Sequence, residues 1–177
     1  WFKWTSKGHE PGDFSDLGLE AVDGKIFDRY PGLFRFSLQR DSDQAPFDFL
    51  LVPLHLKAMA EGSKRRQLAS EILAAAVNKA SKELDEVDWI VGGDYNAELA
   101  TGDFDALRKR GLVPLSAKDE QDGAFSYVKG PKSLIDHIFL SANMASTFGE
   151  DDFFIVANDK TIPGYVSKIS DHRPVLP

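Results

Sequence analysis

Residues Trp89–Leu99 read WIVGGDYNAEL. Three apolar residues run into two glycines, and the chain then sets Asp94 and Asn96 two positions apart with Tyr95 between them. A short apolar run bounded by glycine is the pattern of a buried strand. Period-two alternation puts Asp94 and Asn96 on one side of it and Tyr95 on the other. Read alone, GDYN is equally a turn, because Gly, Asp and Asn all favour one for local backbone reasons. What surrounds it decides.

Upstream, LFRFSL alternates from Leu33, and FDFLLVPL from Phe47 ends in a continuous apolar run suited to a buried strand. QRDSDQAP between them is turn chemistry, so the two make a hairpin. Leu68, Ile72, Leu73, Ala76, Val77 and Ala80 then recur at spacings of three and four, which predicts a helix over Lys64–Leu84 lying on a sheet. Downstream, a shorter helix over Asp103–Arg110 is ended by Gly111. LVPL, AFSYV, SLIDHIFLS and DFFIVA follow as further strands. Residues 1–32 carry Gly, Asp and Pro at short intervals and read as loop-rich. Strands and helices are interspersed without strict alternation, which predicts a strand-rich α/β layer with helices on one face.

The 177 residues, 42% hydrophobic, are enough for one domain with a sizeable core. No segment approaches the roughly 18 consecutive apolar residues of a membrane span, and the first residues lack the apolar centre of a signal peptide, so no stable membrane insertion is expected. The chain has no cysteine, which excludes disulfides and thiolate metal sites and is compatible with either redox compartment. A formal net charge of -7 argues against polycationic nucleic-acid binding. It leaves phosphodiester chemistry open, because a bound divalent cation reverses the local sign.

Four times an apolar strand gives way to polar or acidic side chains. These are LVPLHLK with His55, WIVGGDYN with Asp94 and Asn96, SLIDHIFL with Asp136 and His137, and KISDHRPV with Asp171 and His172. Three of the four histidines in the chain fall here. Each piece has a bland reading: a lone histidine after a strand is usually structural, and Asp-His pairs are common on surfaces. Four strand ends on one rim can instead aim side chains at a single point.

In this order and strand context, the insertions resemble the endonuclease/exonuclease/phosphatase superfamily, which includes deoxyribonucleases, apurinic-site endonucleases, sphingomyelinases and inositol-polyphosphate phosphatases. The resemblance, over roughly Arg29 to the C-terminus, implies an α/β fold, a four-layer α-β-β-α sandwich with one metal-assisted phosphoester site. It makes residues 1–177 a single such domain lacking its N-terminal part. Asp94 and Asn96 match the family's Gly-Asp-x-Asn motif, with Asp94 near the attacking water or metal and Asn96 on a phosphate oxygen. Ser170, Asp171 and His172 match its Ser-Asp-His motif. Asp136 matches the aspartate paired with that histidine, and His55 the histidine closing the earlier strand. Arg29, in FDRYPGLFRF, is similar to an arginine preceding a Pro and a strand in several nucleases. His137 has no catalytic counterpart, and alternation points it away from Asp136.

The chemistry agrees with these roles. An attack on a phosphodiester needs positive charge on the phosphate and a base for the water. Mg²⁺, or Mn²⁺ or Ca²⁺ in its place, supplies the charge through oxygen ligands, for which Asp171 and Asp94 are the candidates. An imidazole held by a carboxylate is fixed in one tautomer, the geometry expected of His172 on Asp136. Whether His172 is the base or clamps the phosphate while Asp94 takes the proton is left open by the sequence. Asn96 donates to a phosphate oxygen without adding charge.

The family pattern also has an asparagine ending its first strand and a glutamate ligand ending a later one. Glu10 and Glu20 are the upstream acids here, and neither ends an apolar strand. Two expectations follow from reading the chain as a C-terminal portion: an exposed apolar face that favours self-association, and weak metal binding with slow turnover. The leading function is a Mg²⁺-dependent phosphodiesterase, a nuclease acting on DNA or RNA. The alternatives are a sphingomyelinase-like enzyme, a small-substrate phosphatase, and a non-catalytic binding module of the same fold. PKSLIDHI stands where inositol phosphatases carry a Cys-containing segment, which disfavours that subgroup.

Overall fold

The computed structural model describes residues 26–39, 45–149 and 151–177, together with Gly18. Glu10, Glu20, most of the loop-rich segment and the centre of the turn after Gln39 lie outside them. The elements in chain order are β1 (Phe34–Leu38), β2 (Phe47–His55), α1 (Ser63–Leu84), β3 (Trp89–Asp94), α2 (Asp105–Lys109), β4 (Leu112–Pro114) and α3 (Ala117–Gln121). β5 (Asp136–Ser141), α4 (Ala142–Ala145), β6 (Phe154–Ile155), α5 (Asn158–Thr161), α6 (Tyr165–Lys168) and β7 (Val175–Leu176) follow.

Five strands form one sheet in the order β1-β2-β3-β5-β4. β1 and β2 are the antiparallel hairpin expected from their alternation. β3 lies parallel to β2, which requires the long crossover that α1 supplies. β5 returns antiparallel to β3 and carries β4 on its other side. The stripe predicted for α1 faces the sheet: Ile72, Leu73, Val77 and Ala80 pack on Leu50, Val52, Leu54, Val91 and Phe139, whereas Leu68 and Ala76 are half-buried and Ala69, outside the predicted stripe, is buried.

The other sheet face has its own core. Leu134, Ile138, Leu140, Met144 and Phe153 are buried there, with Ile155 and Val175 against them. Ile155 and Val175 belong to the two-stranded sheet β6-β7, so a second strand layer covers the β5 side of this face. The β1 side is open: Phe34, Phe36 and Leu38 are 51%, 40% and 51% exposed. Phe36 stacks on Phe49 directly across the hairpin at 5.2 Å between ring centroids.

Three elements differ from expectation. AFSYV is not a strand; Tyr127 makes only isolated bridges to Ser133 and His172. The reason is that the N–H groups of Ser126 and Tyr127 both donate to Ser133 O, while that of Val128 donates to Asp171 O. This spends the ladder on two partners. DFFIVA narrows to the two residues of β6, and the shorter helix begins at Asp105, because Asp103 turns inward.

Asp103 is buried with Arg66, whose Nε donates to Asp103 Oδ2 at 2.7 Å. Ser63 Oγ and Gln67 Nε2 donate to Asp103 Oδ1 at 2.6 and 3.1 Å. Arg66 Nη1 donates to the carbonyls of Lys57 and Met59 at 2.7 and 2.8 Å. A buried charge is tolerated only when paired and hydrogen-bonded in this way. The network fixes the chain that leaves β2 immediately after His55.

Candidate active site

The register of the sheet assembles the site. His55 is paired with Asp94 across β2 and β3, and Asp94 with Asp136 across β3 and β5. Directly opposed residues share a face, so the three side chains form one row at the sheet edge, on the face away from α1. Gly93 lets the strands close here. Its φ is +141°, and a Cβ on it would stand 2.1 Å from the Leu54 carbonyl oxygen, a position open only to glycine.

His172 arrives from the segment before β7. Its Nδ1 donates to Asp136 Oδ2 at 2.7 Å, and its Nε2 stands 3.9 Å from Asp94 Oδ2. His55 Nε2 stands 3.4 Å from the same Asp94 oxygen, so Asp94 lies between two imidazoles. Burial, and then the neighbouring Asp136 carboxylate, raise the proton affinity of Asp94 above the ordinary carboxylate range. The hydrogen bond to Asp136 raises that of His172. Ligand atoms of Asp94, Asp136 and His172 all lie within 4.8 Å of one another, a spacing at which they can hold one metal ion.

Asn96 adopts φ 55°, the left-handed conformation that asparagine tolerates better than most residues. Its backbone N–H donates to Asp94 Oδ1 at 2.9 Å and its Nδ2 to Leu56 O at 3.0 Å, which ties the exit of β3 to the exit of β2. Tyr95 points the other way, as alternation requires; it is fully buried against Phe104 and Phe139. Arg29 lays Nη1 2.6 Å from both ring nitrogens of His55. Arg65 of α1 docks this segment, donating to Ile26 O at 3.0 Å and Asp28 Oδ1 at 2.9 Å.

Asp171 is half-buried beside His172 and is not a member of the three-residue group, while Ser170 Oγ accepts the His172 backbone N–H at 3.0 Å. His137 is a core residue. Its Nε2 donates to Ala97 O at 3.0 Å, its Nδ1 accepts from Ser116 Oγ at 2.7 Å, and burial pushes its pKa down to about 4. Ser126 was given no role by the sequence, yet its hydroxyl donates to Asp136 Oδ2 at 2.6 Å. A serine in an apparent strand carries no signal of that kind.

The mixed α/β sheet thus carries carboxylates and an imidazole on the ends of adjacent strands, with a second imidazole joined to them through Asp136. The chain belongs to the Endonuclease/Exonuclease/phosphatase family, whose model matches residues 3–172. Its members are phosphoester hydrolases that generally depend on a divalent metal. No curated protein matches the chain. Among solved structures, the 3' phosphatase NExo from Neisseria, bound to a product DNA hairpin, aligns at a TM-score of 0.51 and 17% identity over 82% of this chain and 70% of its own. The 3'-5' exonuclease NExo from Neisseria meningitidis aligns at 0.50 and 16% over the same shares, 82% and 70%. The human Nocturnin catalytic domain aligns at 0.48 and 16% identity over 82% of this chain, which spans 51% of that domain. At these identities the likeness to the two NExo structures is one of fold.

Among the described residues, no helix is long and apolar enough to cross a membrane.

Proposed function

We propose that this chain carries the site of a metal-assisted phosphodiesterase and that its substrate is a nucleic acid. The observation that supports the reading is Asp94, a buried carboxylate between two imidazoles, one of them held by a second carboxylate. A carboxylate of raised proton affinity is suited to take a proton from an attacking water. His172, whose proton affinity is also raised, is suited to stay cationic and draw charge off the phosphate oxygens. This assigns the base to Asp94 and the clamp to His172, the choice that the sequence left open. Arg29, in contact with His55, puts a guanidinium cation on the opposite side of Asp94. Asn96 has two amide protons, and with one spent on Leu56 the other is assigned to a phosphate oxygen.

The donor set fits a hard cation. Two carboxylates and room for water are what Mg²⁺ asks of a protein, with Asp94 and Asp136 in the group and Asp171 adjacent through His172. Such an ion supplies Lewis-acid stabilisation of the phosphoryl charge.

The net charge of -7 favours a second reading, a lipid headgroup or small phosphorylated substrate. Plasmid DNA, an activated phosphodiester and a phospholipid, assayed side by side with Mg²⁺ and with chelator, separate the readings. Hydrolysis of DNA supports the proposal, and hydrolysis of phospholipid alone replaces it with the second reading. Hydrolysis of none leaves a binding module of the same fold.

A further inference from the structure

We infer that Ser126 is a positioning residue for the Asp136–His172 pair, an inference that rests on the reading of this pair as part of a phosphoesterase centre. Its Oγ accepts the backbone N–H groups of Ile135 and Asp136, each at 3.2 Å. A hydroxyl has two acceptor lone pairs and one proton. With both lone pairs facing donors, the proton has one place to go, Asp136 Oδ2 at 2.6 Å. That is the oxygen which accepts His172 Nδ1 at 2.7 Å. Two donors converging on one oxygen from separate segments fix the torsion of the carboxylate, and through it the imidazole.

The same residue sets the other half of the pair through its backbone. Ser126 O accepts the Arg173 N–H at 2.7 Å, one residue beyond His172, and the Tyr127 ring meets the His172 ring edge-on at 5.2 Å. Ser126 is fully buried, so water does not substitute for its hydroxyl. It is therefore the junction between the start of β5 and the His172 segment: the side chain orients Asp136 and the carbonyl seats the chain that carries the imidazole.

The experiment compares wild type with Ser126→Ala, Ser126→Cys and Ser126→Thr by steady-state kinetics on an activated phosphodiester and by proton NMR of the His172 Nδ1–H. Threonine keeps the hydroxyl, whereas cysteine keeps the volume with a weak donor. Partners that orient a reacting side chain are worth about ten- to hundredfold in activity. Ser126→Ala and Ser126→Cys are expected to lower kcat by that range with KM unchanged and to broaden or lose the downfield Nδ1–H resonance. Ser126→Thr is expected to restore both. If Ser126→Cys is folded, with wild-type kcat and an unchanged resonance, the inference is overturned. A wild type that hydrolyses nothing, yet loses the resonance on Ser126→Cys, removes the phosphoesterase reading and leaves the positioning role standing.

Discussion

Asp94 has an imidazole on each side, and in the proposed site its burial and the neighbouring Asp136 outweigh both of them in fixing its proton affinity. Burial and Asp136 raise its pKa above the ordinary 3.8, and the hydrogen bond to Asp136 raises that of His172 above 6.5. With Asp94 as base and cationic His172 as clamp, kcat/KM rises as Asp94 loses its proton and falls as His172 loses its own. Both limbs are expected above those ordinary values, and Asp136→Asn is expected to move the alkaline limb downward. An alkaline limb at or below pH 6.5 in wild type would reverse the assignment. His137 gives a stability prediction of opposite character. Its pKa falls from 6.5 unfolded to about 4 folded, so the unfolded chain binds the proton first as pH drops. Stability at pH 7 is unaffected, declines from pH 6.5 downward, and is lower by about 2 kcal/mol at pH 5. Urea titrations at pH 7 and 5 measure this, and His137→Gln should flatten the difference. The location of His137 was legible in the sequence, because alternation on a strand that begins at Asp136 sends the next side chain to the opposite face.

Strands end where the site begins, so the geometry of β2 and β3 carries the spacing of His55 and Asp94. Gly93→Ala forces a Cβ into the Leu54 carbonyl and places alanine at a φ it rarely adopts. It is expected to cost about 2–4 kcal/mol and to lower activity by separating the two strand ends. A chemical-denaturation midpoint equal to wild type would show that the strands accommodate the methyl group. Asp103→Asn leaves Arg66 buried against a neutral partner, and about 3–5 kcal/mol of stability should go with it. The elements were legible to different degrees. α1 follows from its helical spacing because it buries one face, and β2, β3 and β5 follow from their apolar runs because they are central strands with both faces at least partly covered. The Arg66–Asp103 network joins residues of α1 and a later turn with no periodic signature, and a Ser-Asp or Arg-Asp contact leaves no local pattern. AFSYV satisfied alternation and still failed as a strand, because its N–H groups are drawn to two different segments.

At the scale of the whole molecule, one face of the sheet is covered on the β5 side by β6-β7 and open on the β1 side, where Phe34, Phe36 and Leu38 stand in a row. Contiguous exposed apolar surface of this kind favours association. The chain is expected to self-associate at rising concentration in sedimentation equilibrium, and Phe36→Lys to shift it toward monomer. A wild type that stays monomeric throughout would remove this expectation. The placement of the candidate residues was largely legible: His55, Asp94, Asp136 and His172 each end or interrupt an apolar run, the sheet register aligns the first three, and His172 joins them through Asp136. Ser126 and the anchoring of Arg29 through Arg65 were not, since both depend on contacts between distant segments. Asp94 and His172 are proposed to act on one phosphoester, and hydrolysis of an activated phosphodiester by wild type, Asp94→Ala and His172→Ala, with Mg²⁺ and with chelator, decides whether they do. Metal-dependent turnover is expected, falling by about two to four orders of magnitude in each variant. Turnover that survives both substitutions, or that ignores the chelator, would contradict the proposal.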